Sequence, residues 1–425
     1  MRKIAAILLL ILITVNLTSC YDANEIDAMA HVVAIGVDRG ISDKWRLTLQ
    51  FNTMKESGGG SGAQSGGGGG NSSEDYTYIS VDAPSFFTGI NMLETSLPRR
   101  LNFMHAQIIV FSEDVAKSGL ISEYISPIVR FRQIRWSAYV FVVKGKAINF
   151  IKENNPCIGN VISKGFQLLI KESDETGFFP QVTLEDFYSG IKSTYHQSIA
   201  TIAAVNDLEN FKEDGEAWGT EFNTGGSYIA GQLPRFGDNK LELFGTALFD
   251  GDTMVGELNG DETRYLLMVR SEFRRGLFTV QDPKQPDVII PLDVTSSKKP
   301  DIKVSFDGST PVIHLKIELD ADIIAIQSGI NYEEPRLKSF LEDAFEKTVF
   351  EGITDVIQKC QNLNTDVLKF GEFAAKNFLT VDGWENYNWN GHFKEAEVAV
   401  EVDVSIRRTG TQIKSYPIND SKGAD

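Results

Sequence analysis

The sequence has 425 residues, with 41 Lys and Arg against 58 Asp and Glu, a net charge of −17, and 42% apolar residues. These proportions belong to folded chains and exclude wholesale disorder, while the length predicts several domains. The acidic balance excludes a nucleic-acid partner and electrostatic docking on anionic lipid, and a chain with only Cys20, Cys157 and Cys360 cannot be a disulfide scaffold.

In chain order, the first element is a secretory signal over residues 1–19. Arg2 and Lys3 supply its positive start, and Ile4 to Val15 is nearly all apolar but short for a membrane span. It ends in Leu17-Thr18-Ser19-Cys20, the pattern of a bacterial lipobox. There the Cys thiol takes a diacylglyceryl group with palmitate-type chains, and the signal is cut just before it. Cleavage would leave 39 basic and 58 acidic residues, or −19 over 406 residues. Two or three acyl chains anchor stably at ~0.8 kcal/mol per buried methylene, so no basic patch is needed. The remaining thiols, Cys157 and Cys360, are expected to be buried and single.

Beyond a short polar segment, His31–Asp38 reads as a buried strand, and Trp45–Phe51 and Tyr76–Val81 alternate like half-buried ones. The run 57–73 between the last two is mostly Gly and Ser, a flexible hairpin loop. Asp82 to Ser85 starts a helix to about Leu97, Gln107–Phe111 is a strand, Val115–Arg130 a helix and Ser137–Val143 a strand. Ala147–Glu153 and Asn160–Lys171 are helical in pattern. In a second block Ser198–Val205, Ser227–Gln232, Leu241–Phe249 and Met254–Leu258 read as strands, with a tight hairpin at Asp250-Gly251. Asp261 to Thr263 is expected to cap a short helix. The third block is strand-rich from Leu277 to about Ile326. A long helix, Pro335–Asn362, follows, with an apolar stripe through Leu341, Phe345, Ile353, Val356 and Cys360. A short helix over Thr365–Asn377 and a strictly alternating strand, Ala396–Arg407, complete the fold. Strands and helices alternate irregularly, which predicts α+β rather than a doubly wound parallel sheet.

Motifs for chemistry are weak. Gly58 to Ala63 fits G-x-G-x-x-A, but more Gly and Ser follow where a phosphate-binding helix must begin. Asp250 to Met254 opens like a calcium loop yet lacks the later oxygen ligands. His31, His105, His196, His314 and His392 have no metal-ligand spacing, and there is no G-x-S-x-G elbow. No catalytic, cofactor or metal residue is expected, and the reading is non-enzymatic. Trp384, Tyr387, Trp389 and Phe393 are expected to pack a core or dock a partner rather than cage a ligand.

Three stretches carry a resemblance. Cys20-Tyr21-Asp22 is followed by Glu25-Ile26 and a strand ending Gly36-Val37-Asp38. Next come Phe244-Gly245-Thr246-Ala247-Leu248-Phe249, then Val255-Gly256 and Glu262-Thr263-Arg264. Last come Asp366 to Gly371, Trp384, Asn388-Trp389, Phe393 and Ile406 to Gly410. Together they resemble the Ger(x)C family, the lipoprotein C subunits of bacterial spore germinant receptors, with Tyr21 where the family usually has Trp.

The resemblance implies three consecutive α+β domains, each a mainly antiparallel or mixed sheet with packed helices, and no catalysis. The expected divisions are 20–195, 196–275 and 276–410, then a polar tail 411–425. It also implies action beside multi-spanning A and transporter-like B subunits at the outer face of the spore inner membrane. That complex senses small germinants, such as amino acids or sugars, and starts germination. Only Cys20 carries over as a functional residue, for lipid attachment. Gly245 and Gly371 are expected to be backbone requirements, and Arg407-Arg408 to pair with the acidic surface. The alternative is a solute-binding lipoprotein of a transport system, which the irregular strand order disfavours because such proteins have two regular α/β lobes.

Overall fold

The computed structural model describes residues 3–4, 28–52, 76–154, 162–206 and 222–408. Cys20, Cys157, the glycine-rich run 57–73 and the tail 411–425 lie outside the described residues.

Nine strands form the first sheet: β1 (Met29–Arg39), β2 (Trp45–Asn52), β3 (Tyr76–Ala83), β4 (Arg100–Asn102), β5 (Ile108–Ser112), β6 (Tyr139–Val143), β7 (Ile199–Val205), β8 (Leu241–Asp250) and β9 (Thr253–Leu258). Their order is β3-β2-β1-β5-β6-β7-β8-β9, with β4 beside β1. The central strands β1, β5, β6 and β7 are parallel, and antiparallel hairpins flank them. A parallel centre needs cover on both faces, which is why β1 and β5 are continuous apolar runs rather than alternating ones. Ile35, Val37, Ile109 and Phe111 enter one apolar layer. Ala34, Ile108, Val110 and Phe141 enter the opposite one. The cover includes α1 (Phe86–Glu94), α2 (Ile121–Arg130), α3 (Ala147–Glu153) and α4 (Leu184–Lys192). Buried Asp38 on β1 accepts the first N–H groups of α3, from Ala147 at 2.7 Å and Ile148 at 2.9 Å. A carboxylate at a helix N-terminus satisfies orphan donors there.

After α5 (Gly260–Val269) comes the second sheet, of β10 (Arg275–Gln281), β11 (Ile289–Ser296), β12 (Asp301–Asp307), β13 (Thr310–Ile323) and the late strand β14. The order is β10-β11-β13-β12, with β14 (Glu397–Arg408) parallel to β13. Between β13 and β14 run α6 (Pro335–Asn362), α7 (Phe370–Ala374), α8 (Val381–Tyr387) and α9 (Trp389–Phe393). Proline starts α6 at its first turn, where a missing N–H costs nothing. Leu341, Phe345, Val349, Ile353, Val356, Ile357 and Cys360 form its buried stripe. At Gly352 a Cβ would stand 2.1 Å from the Tyr265 ring, so glycine sets how closely α6 approaches α5.

The fold is α+β, as the sequence predicts. The expectation of one sheet per domain is revised: among the described residues there are two sheets, and the first crosses position 195/196 because β7 and β8 pair onto β6. Val115–Arg130 is two helices, Glu113–Ala116 and α2, interrupted at Gly119, which has φ 69°. Ser227–Gln232 is a turn rather than a strand, with Gly231 at φ 90° donating to Glu242. The cap of α5 is Asn259, which forms a capping box with Glu262. The Thr365–Asn377 helix begins only at Phe370, because Lys369 has φ 66°.

Candidate functional site at the seam between the sheets

The segment Thr365–Gly371 links the two sheets. Thr365 donates to the Phe249 carbonyl on β8, and the Asp366 carbonyl accepts from Gln197 N–H just before β7. The Asp366 side chain is fully buried and accepts from three donors. These are Phe370 N–H at 3.2 Å, Gly371 N–H at 2.7 Å and the Trp389 indole at 2.8 Å. Burial pushes this carboxyl up to about 6, against the pull of those donors. Gly371 cannot carry a side chain, since a Cβ would lie 2.1 Å from the Tyr195 carbonyl oxygen. Gly245 has φ 94°, and a Cβ there would meet the Leu258 carbonyl at 2.5 Å. Both glycines are therefore backbone requirements.

The C-terminal aromatics pack the same seam. Trp384 stacks on Tyr195 at 5.4 Å and on Trp389 at 5.9 Å, and its indole donates to Thr194. Trp389 contacts Phe393, and Phe393 contacts Phe370. The rings fill one another's faces, which is core packing rather than an open cage.

A second junction surrounds Arg264 of α5. Its guanidinium lies 3.6 Å from the Phe178 ring centre and 4.5 Å from that of Phe278 on β10, and its Nε donates to the Thr176 carbonyl. Burial lowers it to about 10, while Asp261, at 3.8 Å, supports the charge. Thr263 shares a hydroxyl contact with Thr246 at 2.8 Å, and Lys359 of α6 donates to both oxygens of Glu262. The Glu262-Thr263-Arg264 triplet thus ties α5 to β8, to α6 and, through Arg264, to β10. The Glu262-Thr263 pair matches the family pattern, and that is the signal the sequence offers; composition offers none.

The remaining candidates separate. His31 and His105 make an edge contact at 4.8 Å, His196 lies 3.1 Å from Glu372, and His314 and His392 lie elsewhere. Among the described residues no group of three or more His, Cys, Asp or Glu could hold a metal ion. Asp250-Gly251 is a hairpin turn between β8 and β9, with Gly251 at φ 59°. Arg407 pairs with Asp320 at 2.8 Å. Cys360 is buried, and burial raises its thiol well above the ordinary range, so it is chemically quiet. No described helix is long and apolar enough to cross a membrane. Cys20 lies outside the described residues.

Two family models match the chain. Residues 22–205 match one described as spore germination protein N-terminal domain, and 244–410 match one described as spore germination B3/GerAC like, C-terminal. The chain belongs to this Ger(x)C family. It is 23% identical to putative spore germination protein YfkR of Bacillus subtilis (strain 168), over 95% of this chain and 96% of that one. It is 22% identical to spore germination protein KC of the same organism, over 98% of both chains. Spore germination protein GerQC of Bacillus cereus is 20% identical over 72% of this chain and 74% of its own. Among solved structures, the crystal structure of the GerBC protein aligns with a TM-score of 0.50 and 17% identity, covering 88% of this chain and 96% of that one. At that identity the match speaks for the fold. Asp366, Gly371, Trp389 and Arg264 fall inside the C-terminal family match, while Thr176 and Phe178, which Arg264 meets, fall inside the N-terminal one.

Proposed function

We propose that this chain is the lipid-anchored, non-enzymatic C subunit of a spore germinant receptor. In this reading it acts in nutrient-triggered germination beside membrane-embedded A and B subunits. The observation that carries the reading is the pair of family matches, which together run from residue 22 to 410 with one gap. Full-length relatives named as spore germination proteins support it. The Leu17-Thr18-Ser19-Cys20 pattern supports attachment through Cys20 to the outer face of the spore inner membrane. The solute-binding alternative fits less well, because a nine-stranded mixed sheet and a five-stranded one are not two regular α/β lobes. The test is Cys20→Ala expressed in spores. The expected outcome is loss of the chain from the membrane fraction and a slowed germination response. Full membrane retention together with full germination would overturn the reading.

A further inference from the structure

Residues 95–112 and 124–143 contain five arginines, Arg99, Arg100, Arg130, Arg132 and Arg135, and no Asp or Glu at all. The fold brings these two stretches together. Phe103 N–H donates to the Gln133 side chain at 3.2 Å, and the Phe103 and Phe131 rings lie 5.6 Å apart. Burial, His31 and Arg135 together lower His105, which puts the Arg135 charge beside the loop after β4. Arg100, Arg130, Arg132 and Arg135 are exposed, and Arg99 is half-buried.

The charge of this face is in excess. Elsewhere Arg46, Arg235, Arg270 and Arg275 each hold a carboxylate. Among the described residues no ion pair or hydrogen bond ties any of the five arginine side chains to an acid. Glu123 on α2 pairs with Lys44, and Glu94 at the end of α1 accepts from Leu101 N–H. Even with Glu94 and with Glu185, whose N–H meets the Trp136 carbonyl, counted in full, three positive charges remain. Two exposed apolar side chains sit among them: Met104, at 50%, and Phe87, at 43%, whose ring lies 5.4 Å from Phe131. Cations beside exposed apolar groups suit the headgroup layer of an anionic bilayer. The whole-chain charge of −17 argues against such docking only as an average, and this face has the opposite sign.

The path of the chain gives an independent sign. Arg100 is the register partner of Met29, and the Asn102 amide donates to the Met29 sulfur at 3.1 Å. The polypeptide therefore enters β1 at this patch. Cys20 lies nine residues before Met29, and nine residues span at most ~30 Å. A lipid on Cys20 would hold the arginines within one short linker of the bilayer.

We propose that this arginine face docks on anionic phospholipid headgroups, with Met104 and Phe87 towards the acyl region, and so sets the orientation of the tethered chain. The inference deepens the lipid-anchor reading and rests on it for the tether; the charge pattern stands without it.

The test uses the full chain in vesicles of phosphatidylcholine alone, or with an equal part of phosphatidylglycerol, each doped with a nitroxide-headgroup lipid. In a Cys157→Ser background, Met104→Cys or Ser309→Cys takes a fluorophore; Ser309 is exposed in the turn between β12 and β13. Quenching at position 104 is expected to exceed that at 309 in the phosphatidylglycerol vesicles and to fall towards it in phosphatidylcholine. The excess should be lost when Arg130→Gln, Arg132→Gln and Arg135→Gln are combined. With the arginines intact it should also be lost at about 1 M salt, where charges are screened beyond about 3 Å. Equal quenching at 104 and 309 in the anionic vesicles would overturn the proposal and leave the face to the acidic linker residues Asp22, Glu25 and Asp27 or to a protein partner. An excess that survives both the arginine replacements and the salt would overturn it too. The anchor is scored separately, by flotation of Cys20→Ala: unchanged flotation would sink the anchor reading, while the comparison of 104 with 309 still decides this one.

Discussion

Replacing Asp366 with Asn isolates the cost of a buried charge at the seam. The folded carboxyl sits at about 6 and its ordinary value is 3.8, so the folded state holds the proton more tightly than the unfolded one. Its contribution to stability is therefore full below pH 3.8 and is lost as the pH rises through 6. The whole shift is worth about 3 kcal/mol, of which about 1.3 kcal/mol falls between pH 7 and pH 5. Asn has no charge to desolvate, and its amide oxygen can take the place of the Oδ2 that accepts from Gly371 N–H and the Trp389 indole, but its NH2 group then faces Phe370 N–H and cannot accept from it. Each buried donor left unpaired costs about 1–3 kcal/mol. At pH 7 the two effects oppose and largely offset, so the variant should lie within about 2 kcal/mol of the parent. At pH 5 the gap should widen by about 1.3 kcal/mol, because only the parent gains from protonation. Urea unfolding followed by tryptophan fluorescence at both pH values measures the gap, and groups common to both chains cancel in the difference. A gap that is constant or narrows towards pH 5 would refute the account.

Three further outcomes can be measured in the same way. Gly371→Ala forces a Cβ to 2.1 Å from the Tyr195 carbonyl and 2.7 Å from the Trp389 indole, and should cost about 3 kcal/mol or more. Gly251→Ala, with open space around it and φ 59°, should cost only ~1–2 kcal/mol; equal losses in these two variants would contradict the steric argument. Arg264→Met leaves half-buried Asp261 without its cation and the Thr176 carbonyl without its donor, and should lower stability by about 2–4 kcal/mol in denaturant melts. With Cys20 and Cys157 removed as Cys20→Ala and Cys157→Ser, the Cys360 thiol should stay unlabelled by Ellman's reagent until urea unfolds the chain. Rapid labelling of the folded chain would show that its burial is incomplete.

Much of the local structure was legible from periodicity. The alternation of Trp45 to Phe51 marked β2, and Pro335 with its apolar stripe marked α6 from end to end. The continuity of the first sheet was not legible, because β6 meets β7 across 55 intervening residues and nothing local encodes that pairing. The seam was half visible. Asp366, Gly371 and Trp389 stood out as a family pattern, yet an acidic residue beside Val367 reads as surface until the donors from 370, 371 and 389 are seen converging on it. Ser271 and Lys369 carry no sequence mark at all, since neither residue type announces a left-handed backbone.

The first described strand of the chain has a mechanical consequence. β1 starts at Met29, and it is not an edge strand: β2 lies on one side, with β4 and β5 on the other. A pull applied to the chain just before Met29 acts nearly along the strand axis. Hydrogen bonds to both neighbours are then loaded together in shear, instead of opening one after another as they would in a peeled edge. Anything tethering the protein by its N-terminus thus grips the middle of the largest sheet, and tension on that tether is shared by the whole nine-stranded body.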